Sequence, residues 1–536
     1  MSAPGFALSG IDLAIICGSL VVSVAVGLWA ARGRQDTAGD YFLASKRLPW
    51  WIIGTAFVST SVSSEQIVGT VGAAYRDGMA IANWELYGLL TYIVMLGLFF
   101  PIYLRNRIAT VPEYLARRFG PLCSDIYSWV MLVAYVVVFQ TPVLYGSTLV
   151  LSQLTGWNFY LVLWGTVALI AGYAVKGGLA SVMWTDAVQC VMLLGGGITL
   201  FFVALARIPG GWPAMVAASP ERFHLYHPPS DPVAPYLGLV AGSFGVFLFY
   251  SASNQVLVQR VLAARTTWDG LMGIVFSGFI NLFRPLVTCF LGFIVYHWVT
   301  HLQAAPPLKN PDDAFPFALS TFASGYGLRG IILAGFLAAV MSTVSALANS
   351  TATIFALGIY QRALRPQAGD REVVRVGRIA SVLALVIASL LCPFIADLGG
   401  IFTYFQTSVT MLATPFVAVF LVGMLWRRAN YAGALFGIIG GLVIQCGVAF
   451  GAPALGIELH WLYSAFIAQV IVMAGVVIVS LATPPPPQPE LVAPLVWKPA
   501  LVANEHMGAG RPWYQNVWLW LGIYGACEIT VYWMFW

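Results

Sequence analysis

Charge is scarce in this 536-residue chain: Asp, Glu, Lys and Arg together make up 9% of it, against roughly 25% in a soluble domain. Water is therefore excluded as its main solvent. Long polar stretches are lacking too. The longest, near 208–234, 301–328 and 482–512, are short and Pro-rich, which leaves no separate soluble domain to expect. Histidine is confined to six positions (His224, His227, His297, His301, His460, His506), mostly in loops or at span ends. No HExxH, GxSxG or phosphate-cradling loop appears, so the chain is not read as an enzyme. Its seven cysteines (Cys17, Cys123, Cys190, Cys289, Cys392, Cys446, Cys527) are scattered without metal-ligand spacing, which leaves redox and structural-metal chemistry unsupported. A net charge of +5 is read as a topology signal rather than a nucleic-acid footprint.

What is abundant is apolar sequence, 60% of the chain. A bilayer core about 30 Å thick takes about 20 apolar residues per helix. About fourteen such runs occur, near 8–31, 50–74, 80–104, 123–154, 157–175, 182–207, 235–258, 269–300, 329–361, 373–394, 398–425, 430–450, 459–481 and 513–536. The first has no basic n-region and no small-residue cleavage site, so it is expected to be a retained helix rather than a signal peptide. With the start of the chain outside, 20 of the 26 Lys and Arg fall in cytoplasmic segments, Arg260 among them, 5 fall outside, and Arg284 lies within a span. That bias supports both the parsing and the orientation, with both termini outside a multi-pass plasma (cell inner) membrane protein. The run beginning Thr483-Pro-Pro-Pro-Pro marks 482–512 as an extended linker to a last helix at 513–536.

Two membrane-length segments carry polar residues that lipid would not tolerate. Ile53–Gly69 contains Ser59, Thr60, Ser61, Ser63, Ser64, Glu65 and Gln66, and Ala338–Ser350 contains Ser342, Thr343, Ser345, Asn349 and Ser350. Transporters often consist of two inverted five-helix bundles with interrupted helices at mid-membrane. Repeats over 50–207 and 235–428 would bring the polar part of the first helix beside that of the eighth. Na⁺ is a hard cation served by hydroxyl and unwound backbone oxygens, so the adjacent hydroxyls of Ser342 and Thr343 are candidates. The bland alternative is that they bond back to the preceding turn.

The motifs Tyr41-Phe-Leu-Ala-Ser-Lys-Arg-Leu-Pro-Trp-Trp, Ser64-Glu-Gln-Ile-Val-Gly, Val111-Pro-Glu-Tyr-Leu-Ala-Arg-Arg-Phe, Gly177-Gly-Leu-Ala-Ser-Val-Met-Trp-Thr-Asp-Ala-Val-Gln, Asn254-Gln-Val-Leu-Val-Gln-Arg-Val-Leu-Ala-Ala and Met341-Ser-Thr follow one another between about Asp40 and Arg428. In order and spacing they resemble the sodium/solute symporter family, in particular its sugar-transporting branch. The resemblance implies an all-α membrane protein with a five-plus-five inverted-repeat core and sodium-coupled alternating access. Its coupling ion would be Na⁺ and its cargo a small polar solute, a sugar or sugar-like molecule. It implies a main sodium site formed by the backbone oxygens of Ser59, Val62 and Ala339 and the side chains of Ser342 and Thr343. A second sodium would use Asp186 and Ser345. Ala346 stands where the family often has another hydroxyl, and a structural bridge from Asp186 to Lys176 competes with that reading.

Matching the family's sugar contacts points to Gln66, Glu85, Asn254 and Gln406, with Glu65 and Gln140 next. Trp84 and Tyr404 are placed to stack on a sugar face or close a gate, or simply to pack. Asn281 stands where several sugar-carrying relatives have lysine, and Arg284 follows about one helical turn later. Arg284 is expected either to take over part of that role or to pair with Glu85. The partners implied are the solute, Na⁺ and lipid, with neither nucleic acid nor an obligate protein among them. A proton-coupled carrier using Glu65, Glu85 or Asp186 is the rival mechanism, and sialic acid, inositol, nucleosides, amino acids and vitamins are the rival solutes.

Overall fold

A computed structural model of the chain describes residues 8–32, 37–86, 88–231, 233–325, 327–397, 401–457, 459–503, 507–508 and 510–536. Among them there is no strand; an isolated bridge between Leu48 and Ala264 is the one extended pairing. With no water to serve backbone amides in a bilayer, helices are the expected solution. Ten helices are long and apolar enough to cross a membrane, and an eleventh is formed by the bent pair Thr267–Asn281 and Arg284–Thr300. The other three runs expected to span are also helical: one is broken at Val62, one is the short Phe159–Gly172, and one is the last helix, Val517–Phe535.

Eight elements position the site: α1 (Gly10–Ala30), α2 (Trp50–Ser61), α3 (Ser64–Asp77), α4 (Phe159–Leu205, two helices joined at a kink at Gly178), α5 (Tyr236–Leu248), α6 (Gln255–Leu262), α7 (Leu328–Thr353) and α8 (Val517–Phe535). The α1 start is held by a capping box between Ser9 and Asp12, and Asp12 also accepts the N–H of Gly330 at 2.8 Å, which ties α1 to the head of α7. The longest shared face lies between α4 and α7, where glycines let the backbones close in. A Cβ on Gly335 would stand 2.6 Å from the Met192 carbonyl oxygen, and one on Gly196 would stand 3.0 Å from that of Ile331. This approach is the small-residue packing that lipid-embedded helices rely on.

Two of these helices are interrupted at mid-length. The last helical bond of α2 runs from Val62 N–H to Val58 O, after which Val62 and Ser63 are extended and α3 begins. Downstream of α5 the chain passes through a π-helical stretch, Phe249–Ser253, and opens at Asn254, whose side-chain oxygen accepts the N–H of Val256 at 3.0 Å and starts α6. Each break exposes backbone groups that a continuous helix would have paired.

Candidate functional site

At the α2–α3 break the last carbonyls of α2 have lost their helical donors. The hydroxyl of Thr343 on α7 donates to one of them, Thr60 O, at 3.1 Å. Its neighbour Ser342 donates to Asp186 Oδ1 on α4 at 2.7 Å. Both hydroxyls commit their proton to an acceptor and keep lone pairs for a further partner. Ser59, Val62, Ala339, Ser342 and Thr343 are all buried here, and the Thr343 hydroxyl meets a carbonyl of the break, both being oxygen donors of the kind a hard cation takes.

Asp186 is bound more tightly than the sequence indicated. Arg260, on α6, donates to Asp186 Oδ2 from Nη2 at 3.2 Å and to Thr60 Oγ1 from Nε at 2.7 Å, and a third N–H reaches Val256 O. Both charged side chains are 0% exposed. The charge pattern reads Arg260 as a cytoplasmic loop residue. The structure instead buries it, because the break at Asn254 lets the chain re-enter the core as α6. The competing bridge from Asp186 to Lys176 falls on a side chain outside the described residues. Ser345, the other half of the second-sodium expectation, donates to Ser342 O at 3.0 Å along its own helix.

On the other side of the α2–α3 break lies a part-open cavity of about 110 Å³. Gln66, Trp84, Glu85, Asn281, Arg284 and Gln406 line it, together with residues the sequence did not single out, notably Ser61, Tyr92, Tyr250 and Tyr524. Glu85 is the hub. Its Oε1 accepts Gln66 Nε2 at 2.7 Å, and its Oε2 meets Arg284 Nε as an ion pair not aligned for a hydrogen bond. Asn281 donates to the Tyr92 hydroxyl at 2.9 Å. Trp84 stacks on Trp461 with ring centres 5.5 Å apart and planes 7° from parallel, beside the cavity it lines. Polar hydrogen-bonding groups against aromatic faces are what a small polyhydroxyl ligand needs.

Residues 41–441 match the model of the sodium:solute symporter family. The chain belongs to that family. It is 32% identical to the sodium/glucose cotransporter of Vibrio parahaemolyticus, covering 87% of this chain and 90% of the relative. It is 30% identical to sodium/myo-inositol cotransporter 2 of Sus scrofa, covering 91% and 78%. Among solved structures it matches the substrate-bound, outward-open state of a Na⁺-coupled sialic acid symporter with a TM-score of 0.79 and 20% identity, covering 90% of this chain and 99% of that one. The all-helical fold with a five-plus-five core is therefore that of a Na⁺-coupled symporter, and Na⁺ is its coupling ion.

Within this symporter the remaining sequence candidates stand away from the cavity. Asn254 accepts the Tyr135 hydroxyl at 2.6 Å besides capping α6. Tyr404 donates to Val137 O at 3.3 Å. Glu65 accepts the hydroxyl of Ser63 inside the break. Gln140 is buried with neither amide atom paired among the described residues.

Proposed function

We propose that this symporter imports a sugar or cyclic polyol together with Na⁺, by alternating access across a plasma membrane. Carrying this reading is one juxtaposition: the cavity around Glu85, Arg284, Gln66 and Gln406 abuts the same helix break whose Thr60 carbonyl accepts the Thr343 hydroxyl. Sodium held by Ser59 O, Val62 O, Ala339 O, Ser342 Oγ and Thr343 Oγ1 would pin α2 to α7 and so complete the cavity wall at Ser61 and Gln66. Each ligand then favours the state the other needs, which is coupling in the thermodynamic sense. Release into a low-sodium cytoplasm follows, aided by about 2.3 kcal/mol per charge per 100 mV of membrane potential. The names of the relatives, glucose and myo-inositol cotransporters, fit a cavity rich in hydrogen-bonding groups and ringed by aromatics.

The full membrane plan belongs to the same proposal: fourteen spans, repeats over 50–207 and 235–428, and α1 entering from outside, as the Lys/Arg bias requires. A proton carrier on this scaffold needs a carboxylate without a permanent counter-charge. Glu85 and Asp186 each face an arginine, which leaves Glu65, bonded to the Ser63 hydroxyl, as the carboxylate a proton carrier would use. The test is uptake into proteoliposomes of radiolabelled D-glucose, myo-inositol and sialic acid under inward sodium, choline or proton gradients. Accumulation of a sugar or polyol with sodium alone is expected; equal accumulation in choline would end the sodium reading.

A further inference from the structure

The last helix, α8, is joined to the bundle by a Pro-rich linker, yet it is built into the wall of the cavity. Tyr524 lines that cavity while only 2% exposed. Its ring meets Tyr92 edge-on at 5.2 Å and Phe279 at 5.9 Å, and Tyr92 is the residue that receives Asn281. Two glycines on the opposing helices make room for it. A Cβ on Gly88 would stand 2.6 Å from the Tyr524 hydroxyl, and one on Gly278 would stand 3.2 Å from its ring.

One helical turn on, Glu528 is buried and its carboxylate accepts the N–H of Gly88 at 3.3 Å and of Leu89 at 3.2 and 3.0 Å. Those amides open the next helix, Leu89–Val94, directly downstream of the short helix that carries Glu85, Asn83–Leu86, and a carboxylate at a helix start satisfies donors that have no helical partner. Toward its far end Tyr532 donates to Asn83 Oδ1 at 2.7 Å, and Phe535 O accepts the N–H of Leu225 at 2.7 Å. Both the segment bearing Glu85 and the aromatic wall beside Asn281 are therefore fastened by α8.

We infer that α8 is a working wall of the solute site, with Tyr524 as a specificity-determining residue and Glu528 as a positioning residue that holds the Glu85 segment. The inference rests on the cavity being the solute site. Full-length protein in proteoliposomes is used, with Cys17, Cys446 and Cys527, the cysteines not buried, replaced by serine. In that background, Tyr524→Cys is expected to react with the impermeant anion 2-sulfonatoethyl methanethiosulfonate about tenfold faster than Ile529→Cys, a difference worth 1.4 kcal/mol. Ile529 is 62% exposed and faces outward from the bundle. Adding Glu528→Ala should change the Tyr524→Cys rate, whereas Glu528→Gln, which keeps an acceptor oxygen, should restore it.

In the uptake arm, Tyr524→Phe and Tyr524→Leu should shift the ratio of half-saturating D-glucose to myo-inositol by up to about tenfold without moving the half-saturating sodium concentration. Labelling at position 524 no faster than at 529, or an unchanged ratio in both variants, overturns the inference. If the unsubstituted protein takes up neither probe, the sugar reading falls, and labelling alone decides whether α8 lines the cavity.

Discussion

Two buried carboxylate–arginine pairs stand on either side of one helix break, and they differ in what surrounds them. Asp186 and Arg260 are both 0% exposed and are bonded to Ser342, Thr60 and the Val256 carbonyl. Glu85 and Arg284 share the break's other side with an open cavity, and Arg284 keeps 11% of its side chain exposed. A dry pair has no partner but the fold, so it holds α4, α6, α2 and α7 in one arrangement. A pair at a cavity wall can exchange part of its hydrogen bonding with a solute that arrives. On the proposed reading, similar chemistry serves framework in one place and recognition in the other.

The comparison is broken most severely at the dry pair. Arg260→Met leaves Asp186 enclosed without its cation, and removing one partner of a buried pair typically costs about 3–5 kcal/mol. Loss of folded protein, or a large fall in melting temperature measured in detergent, is expected, and Asp186→Leu added to it should recover part of the loss. Equal stability of Arg260→Met and the parent would mean the pair carries no structural role.

Next in size is the proposed sodium cluster around Ser342 and Thr343. Thr343→Ala removes the hydroxyl that reaches Thr60 O, and a rise of about tenfold, or 1.4 kcal/mol, in the sodium concentration for half-maximal uptake is expected. Thermal stability without sodium should fall less than in Arg260→Met, since one buried hydroxyl–carbonyl hydrogen bond is lost rather than a charge. Sodium dependence identical to the parent would remove Thr343 from the ion's shell.

Much of this arrangement can be read from sequence, for identifiable reasons. Hydroxyls and carboxamides in a membrane-length segment must be paired or interrupt a helix, so Ser59 to Gln66 marks the break. Arg284 betrays itself because a charge within a span is rarely incidental. Arg260 is hidden: it lies in the Asn254 to Ala264 motif, whose polar residues resemble a loop, and only the second break shows that this stretch re-enters the core. Asn254 looks like a solute contact because a polar residue at mid-membrane has two uses, and here its oxygen caps α6. Tyr524 is invisible for another reason: hydropathy reports that α8 is apolar but says nothing of which helices it docks against. Glu528, the acidic residue in that last run, is the signal that was available.

At the wet pair the expected effects are smaller and fall on the solute. Arg284→Gln removes the cation facing Glu85, whose side chain is itself 0% exposed but keeps the Gln66 amide on Oε1 and borders the cavity, so the surviving carboxylate is less stranded than Asp186 would be. Uptake should persist with a half-saturating solute concentration raised about five- to tenfold, near 1 kcal/mol, while half-saturating sodium stays within about twofold. Arg284→Lys should lie between this variant and the parent, since lysine keeps the charge but loses the planar fork. Unchanged solute affinity in both variants would move Arg284 out of the recognition set and make the pair a second piece of framework.

Gln406 offers the finest discrimination. It lines the cavity opposite no ion pair, so Gln406→Ala removes a neutral amide whose net contribution to a bound hydroxyl is about 0.5–1.5 kcal/mol. A rise of about threefold in half-saturating solute, with melting temperature and sodium dependence unmoved, is expected. That result distinguishes a direct contact from framework more cleanly than either arginine, because no buried charge is left behind to disturb the helices. If Gln406→Ala instead lowers stability while leaving solute affinity intact, its amide belongs to the packing of its own helix, and recognition on that side of the cavity falls to the aromatic rings.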